Sequence, residues 1–306
     1  MPSLQARLIC FLLRSRQRLR RETIDWNTYE AVLRFRREVE NGAGFFGKLP
    51  GGIEVSPVTI GGFTAEWILP STVKDRVMLY FHGGGYVSGT CRAHRPIVSK
   101  FVNGSGVGAL LFEYRLAPEH RFPAALEDSV AAYRWLLAEG VSPSKIVFVG
   151  DSAGGGLCLA TLLALRDQGM PLPAAAAAYS PVTDYKCTGE SYRTNAKLCL
   201  APEGTAQAFA KHYAGESDPG LPYISPLYGD LHGLPPILIH VGGHETLRDD
   251  SIRFAEKAKA AGVDVTLRVG EGLFHCYPAC SPLFPEARQA MDEICTFINK
   301  HTGGQI

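Results

Sequence analysis

Short apolar runs recur along the chain from about residue 76, and stretches with helical spacing separate them. Several of the runs are apolar at every position, which is typical of strands buried on both faces of a parallel sheet. Regular alternation of strands and helices predicts an α/β fold, with a mostly parallel central sheet flanked by helices. The predicted strands are Arg76–Phe81, Ala109–Tyr114, Ile146–Val149, Ala174–Tyr179, Ile237–Val241 and Val265–Val269.

Five stretches between and after these runs have the apolar spacing of helices: Pro96–Val102, Pro123–Glu139, Ala153–Gln168, Asp249–Ala261 and Pro285–Lys300. Glycines at 140, 169 and 262 stand where helix C-terminal caps are expected. Ahead of the alternating part, Gly51–Trp67 is predicted to be an antiparallel hairpin that turns at Gly61-Gly62.

Two regions do not follow the alternation of strand and helix, residues 1–48 and about 185–223. The second lies between two core strands and is rich in turn formers, so it is most simply an insertion over one edge of the sheet. We therefore expect an α/β-hydrolase-type catalytic domain over residues 49–306. The helical residues 1–48 and the insertion at about 185–223 are expected to form a cap above it.

The first helix of this cap has an apolar face with several basic residues near it. Four apolar side chains share one face, and three arginines are available for the opposite face: Leu4, Leu8, Phe11 and Leu12, and Arg7, Arg14 and Arg18. We expect this helix to pack on the body of the protein. Contact with a membrane surface is the alternative interpretation.

Composition narrows the function to small-molecule chemistry. Lys and Arg number 31 against 30 for Asp and Glu, so no net charge attracts nucleic acid or an acidic partner, and a small uncharged substrate is expected. The eight cysteines contain no CxxC pair and no regular framework, which favours a reduced, cytoplasmic location. The basic residues near the start follow the apolar stretch instead of preceding it, unlike a secretory signal.

The segment Gly150-Asp151-Ser152-Ala153-Gly154 directly follows a predicted strand and opens a predicted helix. In that context the G-x-S-x-G pattern indicates a nucleophile elbow, a tight turn that lifts the Ser152 hydroxyl clear of the sheet. Small residues at 150 and 154 leave room for the backbone to turn. The helix directs free N–H groups at the reaction centre, and Ala153 is expected to donate its amide to an oxyanion.

A second motif, His82-Gly83-Gly84-Gly85, follows the strand that ends at Phe81. Backbone without side chains can approach a reacting carbonyl and direct N–H groups at it, which indicates an oxyanion loop. His82 is expected to anchor this loop and not to act as the base.

A serine hydroxyl needs a histidine to accept its proton, and in this fold the base comes last in chain order. His275 meets that requirement, on a loop between the last predicted strand and the last helix. In the loop after Ile237–Val241, Glu245 lies nearer the end of the strand than the two aspartates that follow it, which makes it the preferred acid. Other carboxylates compete for this role: Asp249 and Asp250 at a helix start, and Asp184 after an earlier strand.

These motifs, together with Tyr114-Arg115-Leu116-Ala117-Pro118-Glu119 and Leu247-Arg248-Asp249-Asp250, resemble the hormone-sensitive lipase family of bacterial esterases. The resemblance covers roughly residues 76–300. It implies an oxyanion hole formed by the amides of Gly83, Gly84 and Ala153, a mobile helical cap, short- to medium-chain acyl esters as substrates, no metal or cofactor, and in many members a homodimer. It also assigns the acid to Glu245, where many members carry aspartate.

The sequence thus predicts a carboxylesterase that works through a serine acyl-enzyme, with Ser152 as nucleophile, His275 as base and Glu245 as acid. An amidase or carbamate hydrolase with the same three residues is the nearer alternative. A non-catalytic ligand-binding protein on the hydrolase scaffold is the more distant one. Natural substrate and oligomeric state are not encoded in these motifs.

Overall fold

A computed structural model describes residues 1–19, 24–42, 44, 49–71, 75–201 and 204–303, and for residues 16–19 it describes the backbone only. Its centre is one eight-stranded sheet in the order β1-β2-β4-β3-β5-β6-β7-β8. The strands are β1 Ile53–Ile60, β2 Phe63–Pro70, β3 Val77–Phe81, β4 Gly108–Phe112, β5 Ile146–Asp151, β6 Ala175–Tyr179, β7 Ile237–Gly242 and β8 Val265–Gly270.

The sheet is antiparallel only at one edge. Strands β1 and β2 form a hairpin that turns at Gly61-Gly62, and β2 pairs antiparallel with β4. From β4 to β8 every pair is parallel, and β3 lies between β4 and β5. Strands β3 to β7 are buried at every position, as their mainly apolar sequence without alternation predicts. The predicted α/β-hydrolase fold class is confirmed.

Helices cover both faces of the sheet. Helices α3 and α9 pack on one face with Met78, Tyr80 and Val147, and α4, α5 and α8 pack on the other with Leu79 and Phe148. In the described part of the chain the α-helices are α1 Leu4–Leu19, α2 Tyr29–Gly42, α3 Cys91–Ser105, α4 Ala124–Ala138, α5 Ser152–Asp167, α6 Ser191–Thr194, α7 Thr205–Ala214, α8 Arg248–Ala260 and α9 Pro285–His301. Short 3₁₀ turns lie at Pro143–Lys145, Pro226–Tyr228 and Tyr277–Cys280.

Helix α3 begins five residues before the predicted start at Pro96. The Thr90 side chain accepts a hydrogen bond from the Ala93 amide and caps the helix there, so Pro96 lies inside it. Pro96 cannot donate a hydrogen bond to the preceding turn, but the helix continues past it to Ser105. The prediction of a shorter helix is therefore wrong at both ends.

The two regions that interrupt the alternation contain the remaining helices. Helices α1 and α2 lie within residues 1–48, and α6 and α7 lie within the insertion at about 185–223. Residues 45–48, where the first region was predicted to end, fall outside the described residues.

Helix α1 packs on the body of the protein, but through the opposite face from the one predicted. Ala6 and Cys10 are buried against Leu273 and Phe274. The four apolar residues expected to pack inward are exposed instead: Leu4, Leu8, Phe11 and Leu12. The small side chains at 6 and 10 let the backbone of the helix approach the 272–274 loop closely, which the larger leucines would prevent. Arg18 was placed on the face opposite these apolar residues, and its side chain is not among those that the structure describes.

Within the described residues, the structure contains no helix that combines the length and the apolar character needed to cross a bilayer.

Candidate active site

Strand β5 passes into helix α5 without a connecting loop, at Ser152. The backbone of Ser152 has a φ of 53°, in the left-handed region that non-glycine residues seldom adopt. Glycine is needed on both sides of it, because a Cβ at Gly150 would lie 2.5 Å from Gly154 O and a Cβ at Gly154 only 2.1 Å from Phe81 O. The predicted elbow is thus a turn so tight that only hydrogen fits at the flanking positions.

His275 lies on the loop after β8 and reaches the elbow. Its Nε2 is 3.0 Å from Ser152 Oγ, and its Nδ1 is 2.7 Å from Glu245 Oε2. Glu245 lies just after β7, so the three side chains come from the carboxyl ends of three parallel strands. The structure therefore brings together the three residues selected from sequence, in the order hydroxyl, imidazole, carboxylate. Such a chain can withdraw a proton from Ser152 and hold the imidazole in one tautomer.

The Glu245 carboxylate is fully buried and its two oxygens have separate partners. Oε2 faces His275, while Oε1 accepts hydrogen bonds from Ser180 Oγ at 2.7 Å and from the Gly242 amide at 2.5 Å. From the cap insertion, Asn195 Nδ2 donates to Glu245 O at 2.8 Å. The longer glutamate side chain is accommodated because the loop and its neighbours hold it at both the backbone and the carboxylate.

The competing carboxylates have other partners. Asp184 binds the Arg253 guanidinium and the Thr188 hydroxyl. Asp249 accepts from the Ser191 amide, and Asp250 accepts from the Thr183 and Asp184 amides. These contacts brace the junction between the cap insertion and helix α8, away from the imidazole. Among the described carboxylates, the one hydrogen-bonded to His275 is Glu245.

The ionisation of His275 is set by opposing effects. Burial lowers its pKa, whereas the charge of Glu245 and the hydrogen bond to it raise the pKa, with a further contribution from Asp151. The pKa of His275 is raised overall from its ordinary 6.5. An imidazole with this partner is a stronger base towards Ser152 than a free histidine.

The glycine loop after β3 corrects one predicted residue. The Gly83 amide donates to Asp151 Oδ1 at 2.9 Å, so it is not available to a substrate oxygen, and its assignment to the oxyanion hole is wrong. Gly84 and Gly85 line the cavity beside Ser152, and within the described residues neither amide donates a hydrogen bond. Gly85, not selected from the sequence, takes the place predicted for Gly83. The fold decides which amides of the glycine run face the cavity. Here the Asp151 carboxylate binds the Gly83 amide and so withdraws it.

Asp151 joins the elbow to this loop. Besides the Gly83 amide, its Oδ1 accepts the Tyr80 hydroxyl at 2.9 Å. Ala153, the second residue of α5, lies in the first helical turn, where amides lack intrahelical partners. Gly84 and Gly85 thus line the cavity beside Ser152, and Ala153 follows Ser152 directly in the chain.

His82 anchors the loop, as its position suggests. It is fully buried, its Nδ1 bonds Gly83 O at 2.9 Å, and its ring stacks on Tyr114 at a centroid distance of 4.1 Å. Burial, followed by the neighbouring His94, lowers the pKa of His82 to about 3. A neutral ring with a backbone partner is a structural support for the glycine loop.

A cavity of about 400 Å³ opens over Ser152 and His275. Helix α2 of the cap contributes Phe35 and Val39 to its wall, and the insertion contributes Leu200 and Phe209. The lining is mainly apolar, and its polar residues include Ser152 and His275. Both cap regions thus enclose the space above the nucleophile.

Two residues that support the site were not selected from the sequence, Ser180 and Asp151. Ser180 follows β6 directly, at the same edge of the sheet as Ser152 and Glu245, and this position was the available signal. Asp151 is the second residue of the G-x-S-x-G motif itself. Its carboxylate acts on the neighbouring loop, a contact that spacing alone does not reveal.

Comparison with known proteins agrees with this geometry. Residues 78–279 match a family described by its alpha/beta hydrolase fold. An acetyl-hydrolase of Streptomyces hygroscopicus is 40% identical over 285 residues, which cover 92% of this chain and 94% of that protein. The putative acetyl-hydrolase LipR of Mycobacterium tuberculosis is 34% identical and covers 83% of each chain.

Solved structures extend the similarity over nearly the whole chain. An esterase from the bacterial hormone-sensitive lipase family matches with a TM-score of 0.90 and 42% identity, covering 99% of both chains. An esterase/lipase from an uncultured bacterium matches with a TM-score of 0.90 and 40% identity, covering 99% of this chain and 100% of that one.

Proposed function

The chain belongs to the α/β-hydrolase fold family, in its hormone-sensitive lipase group, and we propose that it is a carboxylesterase that forms an acyl-enzyme on Ser152. One observation carries this proposal: His275 Nε2 lies 3.0 Å from Ser152 Oγ while its Nδ1 lies 2.7 Å from Glu245. That chain of contacts supplies a nucleophile, a base and the group that orients the base.

In the acylation step Ser152 Oγ attacks the ester carbonyl carbon and His275 Nε2 takes the hydroxyl proton. The carbonyl oxygen becomes an oxyanion, which accepts hydrogen bonds from the amides of Gly84, Gly85 and Ala153. Each donor of this kind is worth about 3–4 kcal/mol in the transition state. When the tetrahedral intermediate collapses, the C–O bond to the alcohol breaks and the departing oxygen takes the proton from His275.

Deacylation repeats these steps with water. His275 accepts a proton from a water molecule, whose oxygen attacks the acyl carbon, and the same amides hold the second oxyanion. Collapse returns the proton to Ser152 Oγ and releases a carboxylic acid. Glu245 stays ionised throughout and stabilises the imidazolium that forms twice in each cycle.

The cavity favours esters with short- to medium-chain, uncharged acyl groups. Its volume of about 400 Å³ lies near the lower end of the range for small-molecule sites, and its walls are mainly apolar. Phe209 and Phe35 from the cap limit the space above the serine.

A cytoplasmic location fits the eight cysteines, all of which are free thiols.

The proposal is tested by comparing the wild type with Ser152→Ala on p-nitrophenyl butyrate. We expect turnover to fall to the uncatalysed background in the variant, because Ser152 is the hydroxyl that His275 contacts among the described residues. A fluorophosphonate is expected to label the wild type with one equivalent at Ser152, as located by peptide mass spectrometry.

The matched control is Ser144→Ala, which removes an exposed hydroxyl in the 3₁₀ turn at Pro143–Lys145, before β5 and thus at the opposite edge of the sheet from the elbow. This variant is expected to keep full turnover and full labelling. Turnover retained by Ser152→Ala, or wild-type protein that binds esters without hydrolysing them, would contradict the proposed function.

A further inference from the structure

The outer face of α1 is an apolar surface that the described residues of the chain leave uncovered. We use "outer face" for Leu4, Leu8, Phe11 and Leu12, which retain 78%, 58%, 66% and 55% of their exposure. Their spacing of four, three and one residues places them on one stripe of the helix. Single exposed apolar residues are ordinary on protein surfaces, whereas four on one helix stripe mark an interaction site.

The opposite face of α1 prevents the helix from turning this stripe inward. Ala6 and Cys10 are buried against the 272–274 loop, and Arg14 donates from Nε to Leu198 O at 3.1 Å. Arg14 Nη2 also lies 2.7 Å from His244 Nδ1. These contacts, together with Ile9 and Leu13 packed beside Ala6 and Cys10, fix the orientation of the helix. The four side chains of the outer face therefore point to solvent.

The charge of this segment indicates the chemistry of the partner. Residues 1–21 contain no Asp or Glu, and their six arginines are Arg7, Arg14, Arg16, Arg18, Arg20 and Arg21. In the rest of the chain acidic residues exceed basic ones, since the totals are 30 and 31. A helix with an apolar stripe and an excess of arginine is typical of segments that lie in the headgroup region of anionic membranes.

We propose that the outer face of α1 docks reversibly on an anionic phospholipid surface. Leucine and phenylalanine side chains enter the boundary between headgroups and acyl chains, and arginines contact lipid phosphates. A second copy of the chain fits this face less well, because residues 1–21 of both copies carry arginines and no Asp or Glu.

Docking by this face would bring the active-site cavity close to the lipid. Arg14 holds α1 against Leu198, and the adjoining residues Cys199, Leu200 and Ala201 line the cavity. An apolar ester dissolved in the membrane would therefore have a short path to Ser152. The docking itself does not depend on the proposed esterase activity, so the two can be tested separately.

The test is sedimentation with sucrose-loaded vesicles made of about three parts phosphatidylcholine to one part phosphatidylglycerol. The wild type and Ser152→Ala are expected to pellet equally with these vesicles. Leu8→Ser/Phe11→Ser is expected to reduce the bound fraction at least fivefold. Vesicles of pure phosphatidylcholine are expected to bind less protein, because they offer the arginines no net negative charge. Raising the salt concentration from about 0.1 M to about 1 M is also expected to weaken binding, because salt screens the attraction between arginines and anionic lipid.

Leu221→Ser is the matched control, because Leu221 is also an exposed leucine, with 39% of its surface accessible. It lies near Tyr223, whose hydroxyl donates to Asp167 at the end of α5 that is far from Ser152. It should bind vesicles like the wild type. Unchanged turnover of p-nitrophenyl butyrate and an unchanged unfolding temperature would show that Leu8→Ser/Phe11→Ser is folded. Vesicle binding that this double variant does not reduce would overturn the proposal, as would a lipid-free dimer of the wild type that the double variant converts to monomer.

Discussion

Ser180 Oγ donates a hydrogen bond to Glu245 Oε1 at 2.7 Å, on the side of the carboxylate that faces away from His275. The same hydroxyl oxygen accepts the amide of Cys276, the residue next to the imidazole, at 2.9 Å. Ser180 thus links the acid to the backbone that carries the base, although it does not touch the substrate. It is a positioning residue for both.

We expect Ser180→Ala to lower kcat by about 10- to 100-fold with little change in KM. A hydrogen bond to a buried charged group is worth about 1.5–3 kcal/mol, and that amount converts to this range of rates. Steady-state kinetics on p-nitrophenyl butyrate measure the split between kcat and KM. Circular dichroism accompanies the assay, to measure the unfolding temperature of the variant. If kcat falls only because the variant is partly unfolded, Ser180 has a merely structural role.

The raised pKa of His275 predicts how activity depends on pH. Only the neutral imidazole accepts the Ser152 proton. We therefore expect kcat/KM to increase as pH rises through the pKa of His275, which lies above the ordinary value of about 6.5. Glu245→Gln removes the charge that raises this pKa. In that variant the inflection should move to lower pH, and the plateau rate should fall by on the order of 10⁴-fold because the imidazole loses its orienting acceptor.

Profiles of kcat/KM between about pH 5 and 9 measure both effects. Glu256→Gln serves as the control, since it removes an exposed carboxylate from helix α8 without touching the site. An inflection that stays in place in Glu245→Gln would show that another group sets the pKa of His275.

Gly154 is the point at which helix α5 touches the glycine loop. A Cβ there would lie 2.1 Å from Phe81 O and 2.3 Å from His82 O, and neither backbone oxygen can move without shifting the loop. We expect Gly154→Ala to lower the free energy of unfolding by about 3 kcal/mol, at the upper end of the cost of overpacking. Urea unfolding followed by circular dichroism gives this value.

Gly51→Ala provides the comparison, because a Cβ at Gly51 would meet open space. Its unfolding free energy should stay within about 0.5 kcal/mol of the wild type. A similarly small change for Gly154→Ala would mean that the loop and the helix can separate at this contact.

The extent to which sequence predicts this molecule differs between its parts. The central strands are predicted within one or two residues, because strands buried on both faces need apolar residues at every position and few other segments have them. Ser152, Glu245 and His275 could be selected because each follows a strand, and the carboxyl ends of parallel strands meet at one edge of the sheet.

The errors occur where a contact between distant segments decides the outcome. Gly83 was chosen over Gly85 because a run of glycines looks alike in sequence, and the Asp151 carboxylate selects which amide is withdrawn from the cavity. Helix α1 was expected to bury its leucines. Its amphipathic pattern is real, but the helix packs through Ala6 and Cys10, with Ile9 and Leu13 beside them, and not through Leu4, Leu8, Phe11 and Leu12.

Arg36 connects helix α2 of the cap to the loops beneath it. Its Nε donates to Val87 O at 2.7 Å and its Nη2 to Ala117 O at 2.9 Å, and the guanidinium also pairs with Glu119. The hydrogen bonds from Arg36, and then the Tyr29 hydroxyl, lower the pKa of Glu119 to about 2. A depressed carboxyl pKa means that this ion pair is lost only as pH falls towards that value, so it persists throughout the assay range.

Because α2 carries Phe35 and Val39 into the cavity wall, loosening it should affect substrate binding more than chemistry. We expect Arg36→Ala to raise KM for p-nitrophenyl butyrate about three- to tenfold, equivalent to roughly 1 kcal/mol of lost binding, with kcat changed less than about twofold. Arg36→Lys should not restore KM, since one ammonium group cannot reproduce the planar set of donors. Arg37→Ala, an exposed arginine on the same helix, should leave both constants unchanged. A fall in kcat with constant KM would instead place Arg36 in support of the glycine loop, through Val87, and not of the cavity wall.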